Sequence, residues 1–171
     1  MAELIQEEIK RALHAAEGLY YRLVLLVGET GIGKTVALRA VADDLGVPVI
    51  NINLELSARL LELTSKQRAL KLPEILDQIA GAGGSTVVLD NLEILFAKEL
   101  KQDPLRLLQA ISRNRCVVAS WNGSTERGKL IYAEPGHPEY QNYDPTDILL
   151  VRLDCAGIVD STKDTREAGQ A

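Results

Sequence analysis

The sequence has few cysteines, few aromatic residues and no excess of positive charge. Only two cysteines occur in 171 residues, Cys116 and Cys155, both in apolar strand-like runs without metal-ligand spacing. We expect them to be buried, reduced thiols, which favours a cytoplasmic protein over a disulfide-stapled secreted one. Basic residues number 19 against 24 acidic ones, so the net charge is −5. The surface as a whole therefore offers no electrostatic footprint for nucleic acid.

Long apolar runs are also missing. No segment approaches the length that crosses a bilayer, and residues 1–18 form a charged amphipathic pattern without the apolar centre of a signal peptide. With 46% hydrophobic residues, the chain can still bury a genuine core. We expect a single domain over residues 1–154 and a flexible, polar tail over residues 155–171.

The most informative motif is GETGIGKT at residues 28–35, a complete phosphate-binding loop of the form G-x-x-x-x-G-K-[ST]. Gly28, Gly31 and Gly33 are expected to permit positive-φ turns that aim backbone N–H groups at a phosphate. Lys34 adds charge for the β- and γ-phosphates, and Thr35 adds a hydroxyl for Mg²⁺. We predict that ATP or GTP binds here. The predicted contacts are Gly28, Glu29, Thr30, Gly31, Ile32, Gly33, Lys34, Thr35 and Val36.

Short apolar strands alternate with helical segments along the chain, which is typical of a mainly parallel α/β sheet. Five strands are predicted, at 22–27, 47–53, 86–90, 116–120 and 148–153. The helical stretch between the second and third strands is expected to divide near Pro73, and Thr64 and Gln67 have the spacing of a capping box. Residues 122–147 are rich in proline and tyrosine and predict a hairpin or an ordered loop. The fold class is therefore α/β, a P-loop NTPase with a five-stranded sheet flanked by helices.

An acidic residue ends the third predicted strand. Asp90 follows an apolar run, where a Walker B aspartate would accept hydrogen bonds from Mg²⁺-bound water. In most ATPases of the additional-strand catalytic-glutamate class, the residue after this aspartate is a catalytic glutamate. Here that residue is Asn91, and an amide is a poor general base. Glu93 either supplies the missing carboxylate or is a solvated carboxylate at a helix start. Slow hydrolysis is expected in either case.

The fourth predicted strand ends near Asn122, which matches in type and position the sensor 1 residue of AAA+ ATPases. Asn122 either contacts the γ-phosphate and water or turns a hairpin with Gly123. Arginines that neutralise the γ-phosphate often come from a neighbouring subunit. Arg113 and Arg115 precede the strand and could serve only a neighbour, whereas Arg127 could serve either subunit.

Several segments together resemble the BrxF family, the small P-loop ATPases of type 3 BREX phage-defence systems. The resemblance covers about residues 22–153 and is carried by GETGIGKT, NINLELSARLLELTSKQRALKLP, VVLDNLEILF, KQDPLRLLQAISRNR, VVASWNG and YAEPGHPEY. It implies a cytoplasmic ATPase component that works with a DNA methyltransferase, a PglZ-type protein and a larger ATPase. Too few residues follow the last predicted strand for the helical lid of AAA+ proteins, so a lidless core is expected.

Three functions fit these features. The first is a slow Mg²⁺-dependent ATPase that acts as a switch or assembly component; the second is a catalytically weak nucleotide-binding adaptor; the third is a small-molecule kinase. We expect a partner to complete the exposed site, through nucleotide-dependent self-association or another BREX component, and we expect weak binding to naked DNA. The residues Tyr132, His137, Tyr140 and Tyr143 either contact a partner or pack onto their own sheet.

Overall fold

Five parallel strands form the centre of the molecule, as the sequence predicts. The computed structural model describes residues 2–29, 31–82, 84–132, 141–145, 147–154 and 157–162. The parallel strands are β1 (Leu23–Gly28), β2 (Val49–Asn51), β3 (Thr86–Asp90), β4 (Cys116–Glu126) and β7 (Leu149–Asp154). Their spatial order is β2-β3-β4-β1-β7. The predicted α/β class is thus confirmed, and the carboxyl ends of all five strands meet at one edge.

Helices cover both faces of this sheet because the strand residues alternate between two apolar cores. On β1, Leu23, Leu25 and Val27 belong to one core and Val24 and Leu26 to the other. The first core is shared by α3 (Ile52–Leu60), α4 (Ser65–Gly81) and α5 (Pro104–Ile111), and the second by α1 (Ala2–Ala16) and α2 (Lys34–Leu45). Among the described residues, no helix is both long and apolar enough to cross a membrane.

Helices α3 and α4 separate earlier than predicted. The chain turns at residues 61–64, where Thr64 and Gln67 form a capping box that starts α4, and Pro73 lies inside that helix. The prediction of a break near Pro73 is therefore wrong. Leu72 and Leu76 on the same helix are fully buried, and burying such side chains stabilises by about 2 kcal/mol each, which offsets the roughly 3 kcal/mol cost of an interior proline.

Strand β4 runs past its predicted end and continues into an antiparallel hairpin. It pairs with β5 (Lys129–Tyr132), which pairs with β6 (Gln141–Tyr143), so the described part of residues 122–147 forms the expected hairpin. Tyr132 and Tyr143 are buried and pack with Phe96 and Trp121, with the Tyr132 and Phe96 rings stacked at 3.6 Å. These two tyrosines thus pack internally. His137 and Tyr140 lie outside the described residues.

The predicted flexible tail contains a strand. Gly157–Thr162 forms β8, which pairs antiparallel with β7 and satisfies the backbone groups on the outer edge of that strand. The prediction of a flexible tail over residues 155–171 is therefore wrong for this segment, because the edge of a parallel sheet offers a ladder that even a polar sequence can complete. Cys155 and residues 163–171 lie outside the described residues.

Candidate functional site

The phosphate-binding loop connects the end of β1 to the start of α2. Gly31 and Gly33 have φ angles of 86° and 104°, which L side chains rarely adopt, so the predicted positive-φ turns occur at these two glycines. Gly28 is different, because a Cβ there would lie 2.9 Å from Cγ2 of Ile32 and 3.3 Å from the carbonyl oxygen of Leu153. The prediction of a positive-φ turn at Gly28 is therefore wrong, and limited space requires glycine at this position instead. Thr30 lies outside the described residues.

Lys34 is folded into this loop instead of extending into solvent. Its side chain is buried, and Nζ donates to the carbonyl oxygens of Gly28 at 2.8 Å and Glu29 at 2.7 Å. Carbonyl oxygens can be exchanged for phosphate oxygens, since both accept hydrogen bonds from an ammonium. Glu29, Gly31 and Val36 are exposed around it, and Ile32 is half-buried. The ammonium group is therefore held where the motif predicts phosphate.

Asp90 meets the loop from the end of β3, as predicted. Thr35 Oγ1 donates to Asp90 Oδ2 at 2.7 Å, and Ser120 Oγ, on β4, donates to Asp90 Oδ1 at 2.7 Å. Strands β3 and β4 are parallel neighbours with Leu89 opposite Ala119, and Asp90 and Ser120 each follow next in the chain. The sheet thus brings together a hydroxyl and a carboxylate that are 55 residues apart in sequence.

Glu93 is bound by two asparagine amides. Asn53 Nδ2 donates to Glu93 Oε2 and Asn122 Nδ2 donates to Glu93 Oε1, both at 2.8 Å. Asn53 Oδ1 also accepts from the backbone N–H of Ile94 at 2.8 Å, which fixes the first turn of the short 3-10 helix Glu93–Phe96. Glu93 does begin a helix, but it is half-buried and held in one orientation. It is therefore more than a solvated carboxylate.

Asn122 pairs with Gly28 in the register of β4 and β1, so its backbone lies beside the first residue of the loop. The hairpin turn falls later, at Arg127 and Gly128, which have φ angles of 50° and 76°. The alternative in which Asn122 turns the hairpin is thus wrong. Asn122 links the phosphate-binding loop to Glu93.

Asn91 takes a left-handed conformation with φ of 56°, which is uncommon for a residue other than glycine but is best tolerated by asparagine. Its carbonyl oxygen accepts from the backbone N–H of Asn53 at 2.9 Å. The chain therefore makes a sharp bend directly after Asp90. This bend is what allows Glu93, rather than residue 91, to meet Asn122.

Two residues of the site, Asn53 and Ser120, were not predicted as functional from the sequence. Asn53 was placed at the end of the second strand, but that strand ends at Asn51 and Asn53 lies in the first turn of α3. An asparagine just after a strand on the carboxyl edge was the available signal. Ser120, buried between Ala119 and Trp121, gave a similar signal as the one polar residue of an otherwise apolar run, VVASW.

The predicted arginines Arg113 and Arg115 lie at the opposite edge of the sheet. Arg115 Nη1 donates to Asp77 Oδ1 and to the carbonyl oxygen of Ile111, both at 3.0 Å, and the guanidinium of Arg113 lies over the ring of Tyr20. Cys116 is also at this edge, half-buried, and burial raises the pKa of its thiol. These arginines are engaged far from Lys34 and cannot serve the site of their own chain.

A family model described as "ATPase family associated with various cellular activities (AAA)" matches residues 24–116, more than half of the chain. No curated protein matches the chain significantly. The matched region begins on β1 and ends at the first residue of β4, so it includes the loop, Asp90 and Glu93.

Three solved structures illustrate the similarity of this chain to known folds. The C. elegans protein PCH-2 is 22% identical, with a TM-score of 0.37 over 71% of this chain and 35% of that one. A DNA replication initiation factor is 21% identical, with a TM-score of 0.39 over 65% of this chain and 36% of that one. AMPPCP-bound DnaA from Aquifex aeolicus is 18% identical, with a TM-score of 0.40 over 75% and 40%. The chain thus covers well under two thirds of the length of each.

Proposed function

We propose that this chain, which belongs to the AAA family of ATPases, binds ATP at residues 28–36 and hydrolyses it slowly with Mg²⁺. One observation carries the proposal. The Lys34 ammonium lies inside the loop, and the next residue, Thr35, is hydrogen-bonded to Asp90. Two segments that are distant in sequence, and that we assign to one nucleotide site, are thus in direct contact.

ATP binding follows from the loop and Lys34. The backbone N–H groups of the loop and of the first turn of α2 supply donors for phosphate oxygens, and the helix N-terminus favours negative charge. Lys34 would exchange its two carbonyl partners for oxygens of the β- and γ-phosphates. Because two hydrogen bonds already hold the Lys34 ammonium inside the loop, little side-chain freedom is lost when ATP binds.

Thr35 and Asp90 would hold Mg²⁺, Asp90 through water. The donor set fits this ion, since a hydroxyl and a carboxylate are hard oxygen ligands. When bound, the metal neutralises charge on the β- and γ-phosphates. The Thr35 hydroxyl gives its hydrogen to Asp90, which leaves its oxygen lone pairs available for a cation.

Glu93 is the carboxylate we assign to activation of the attacking water. Each of its oxygens accepts one amide hydrogen and keeps a further lone pair, so it can still accept a proton from water. Asn122 would contact both Glu93 and the γ-phosphate side of the loop. Asn91 contributes through its left-handed backbone, because the resulting bend places Glu93 where it contacts Asn122.

Slow turnover is expected because the amides of Asn53 and Asn122 clamp Glu93, each occupying one lone pair of a carboxylate oxygen. Water can reach only the remaining lone pairs unless Asn53 or Asn122 moves. The same clamp favours a second candidate, a nucleotide-binding adaptor that does not hydrolyse ATP. The two functions differ in whether the attacking water reaches Glu93 after ATP binds.

A second copy or another partner is proposed to complete the site. Arg113 and Arg115 lie at the far edge of the sheet, so either could reach a γ-phosphate only in a neighbouring molecule. We expect the molecular mass in solution to rise when Mg·ATP is added, as measured by light scattering. A protein that stays monomeric at all concentrations while keeping full ATPase activity would contradict this.

The role proposed for the chain is that of a switch or assembly component of a BREX phage-resistance system, and it rests on the resemblance of residues 22–153 to the BrxF family. Its partners would be a methyltransferase, a PglZ-type protein and a larger ATPase. In a host carrying the whole system, Lys34→Ala should abolish phage protection in a plaque assay. Lys66→Ala, at an exposed lysine on α4, is the matched control and should leave protection intact.

Phosphate release from ATP without any added acceptor separates these functions. An ATPase releases phosphate with Mg²⁺ and stops when EDTA is added; an adaptor binds ATP without releasing phosphate; a kinase requires an acceptor. We expect slow, EDTA-sensitive release. Failure to bind ATP at all would remove the proposal.

A further inference from the structure

Both oxygens of the Asp90 carboxylate are held by hydroxyl groups from different elements. Thr35, at the start of α2, holds Oδ2, and Ser120, on β4, holds Oδ1. Thr35 belongs to the phosphate-binding motif, whereas Ser120 has no role in the function proposed above. We propose that Ser120 is a positioning residue that fixes Asp90 in the orientation needed to bind Mg²⁺ together with Thr35. This inference rests on the proposed function.

The surroundings of Ser120 favour this role over simple packing. Its neighbours on β4 are Ala119 and Trp121, both buried in apolar cores, and Ser120 itself is 5% exposed. Burying a hydroxyl costs free energy unless it is hydrogen-bonded, so the partner it finds is informative. That partner is a side-chain carboxylate on the neighbouring strand, 30 residues away in sequence.

The other buried serine of the described chain shows what a structural hydroxyl does instead. Ser112 is fully buried, and its Oγ donates to the carbonyl oxygen of Gln109, three residues earlier, at the end of α5. This is a local bond to backbone at the opposite edge of the sheet. Ser112 and Ser120 therefore form a matched pair in size and burial that differs in partner.

Loss of the Ser120 hydroxyl would leave Asp90 Oδ1 without this donor in a buried position. The carboxylate could then rotate about its Cβ–Cγ bond, and the Thr35 bond alone would not hold one orientation. Outer-shell partners of a metal site typically change metal affinity by about 10- to 100-fold, and because Asp90 would hold Mg²⁺ through water, we expect loss of Ser120 to have an effect near the lower end of this range. Binding of ATP without metal depends on the loop and Lys34, so it should not change.

The test is a titration of Mg²⁺ against the affinity for a fluorescent ATP analogue, with thermal unfolding recorded for each protein. Ser120→Ala should require about tenfold more Mg²⁺ than the wild type to reach half of the metal-dependent gain in affinity. Ser120→Cys keeps the volume with a weaker donor and should shift in the same direction, so it carries the test if the alanine variant does not fold. Ser112→Ala should titrate as the wild type does.

Two outcomes would overturn the inference. One is an unchanged Mg²⁺ midpoint in folded Ser120→Ala or Ser120→Cys, and the other is an equal shift in Ser112→Ala, which would indicate general loosening. Failure of the proposed function looks different. In that case the wild-type protein itself would bind the analogue equally well with and without Mg²⁺, or would not bind it, and the inference would fall with it.

Discussion

Both edges of the parallel sheet carry polar side chains, but the two edges use them in opposite ways. At the carboxyl edge, Asp90 and Glu93 accept hydrogen bonds from side chains of other elements. At the amino edge, Ser112 and Arg115 bond to carbonyl oxygens of α5, Arg115 also pairs with Asp77, and Arg113 lies on Tyr20. Side-chain-to-side-chain networks can be rearranged by a ligand, whereas caps on backbone carbonyls hold helix ends. We therefore assign the proposed chemistry of each chain to its carboxyl edge and expect the amino-edge contacts to contribute mainly to stability.

The largest effect on ATP affinity is expected from removing the charge of Lys34 in the phosphate-binding loop. Lys34→Ala should weaken Mg·ATP binding by about 100-fold or more, because losing one member of a desolvated charge pair costs about 2–5 kcal/mol. Arg115→Ala, another mostly buried basic side chain, should leave ATP affinity unchanged. Calorimetric titration of both variants checks the contrast. Equal losses of ATP affinity in Lys34→Ala and Arg115→Ala would mean that the two edges do not differ in their contribution to nucleotide binding.

The next largest effect distinguishes a loss of metal binding from a loss of nucleotide binding at the carboxyl edge. Asp90→Ala should lower phosphate release by about 100-fold or more, since metal stabilisation of the transition state is worth several kcal/mol. Binding of ATP in EDTA should stay close to that of the wild type. Parallel phosphate-release and binding assays measure both. Unchanged hydrolysis in the folded variant would contradict the assignment of Asp90 to the metal.

Glu93→Gln tests which residue acts as general base. Proton transfer by a positioned group contributes about 100- to 10,000-fold, so the rate of phosphate release should fall by about that factor while ATP affinity is retained. Glutamine keeps the size of the side chain and one acceptor for the asparagines. An unchanged rate would mean that Glu93 only anchors the 3-10 helix and that Asn91 or Asn122 orients the water.

The companion variant Asn91→Glu places a carboxylate where related ATPases usually have one. We expect no gain in the hydrolysis rate, because residue 91 has a left-handed backbone that glutamate adopts less readily than asparagine. Steady-state phosphate release, compared with the wild type and Asn91→Gly, measures this. A rate well above that of the wild type would show that the conventional position is functional here.

The smallest effect concerns the amino edge. Arg115→Ala removes the ion pair with Asp77 and a bond to the Ile111 carbonyl, so we expect a loss of about 1 kcal/mol in the free energy of unfolding. Urea denaturation measures this loss. A larger loss of unfolding free energy together with weaker ATP binding would show that the two edges are coupled, whereas reduced ATPase activity alone would fit a role of Arg115 in a neighbouring molecule.

Short sequence patterns predicted the features that depend on interactions between neighbouring residues. The glycine positions of the loop, the capping box at Thr64 and the buried run before Asp90 each depend on a few adjacent residues. The contact between Thr35 and Asp90 was predictable because parallel strands end at one edge.

The missed features depend on contacts between distant segments. The clamp on Glu93 joins Asn53, Glu93 and Asn122 from three elements, and no short pattern encodes their meeting. Strand β8 forms because β7 offers a free edge, although its own residues suggested a flexible tail. Internal packing of Tyr132 and Tyr143 was one of two predicted alternatives, and Phe96 decides between them because it stacks on the ring of Tyr132 and meets that of Tyr143 edge to face.

The most direct test of this account is hydrogen–deuterium exchange of the intact chain with and without Mg·ATP. The account predicts slower exchange over residues 28–36 and 90–94, where the loop and the Glu93 clamp would contact or respond to nucleotide. At protein concentrations where light scattering shows a monomer, it predicts no change over residues 20–22 and 112–116 at the opposite edge. Protection at the amino edge of the monomer, or none at residues 28–36 under saturating ATP, would contradict the assignment of the nucleotide site.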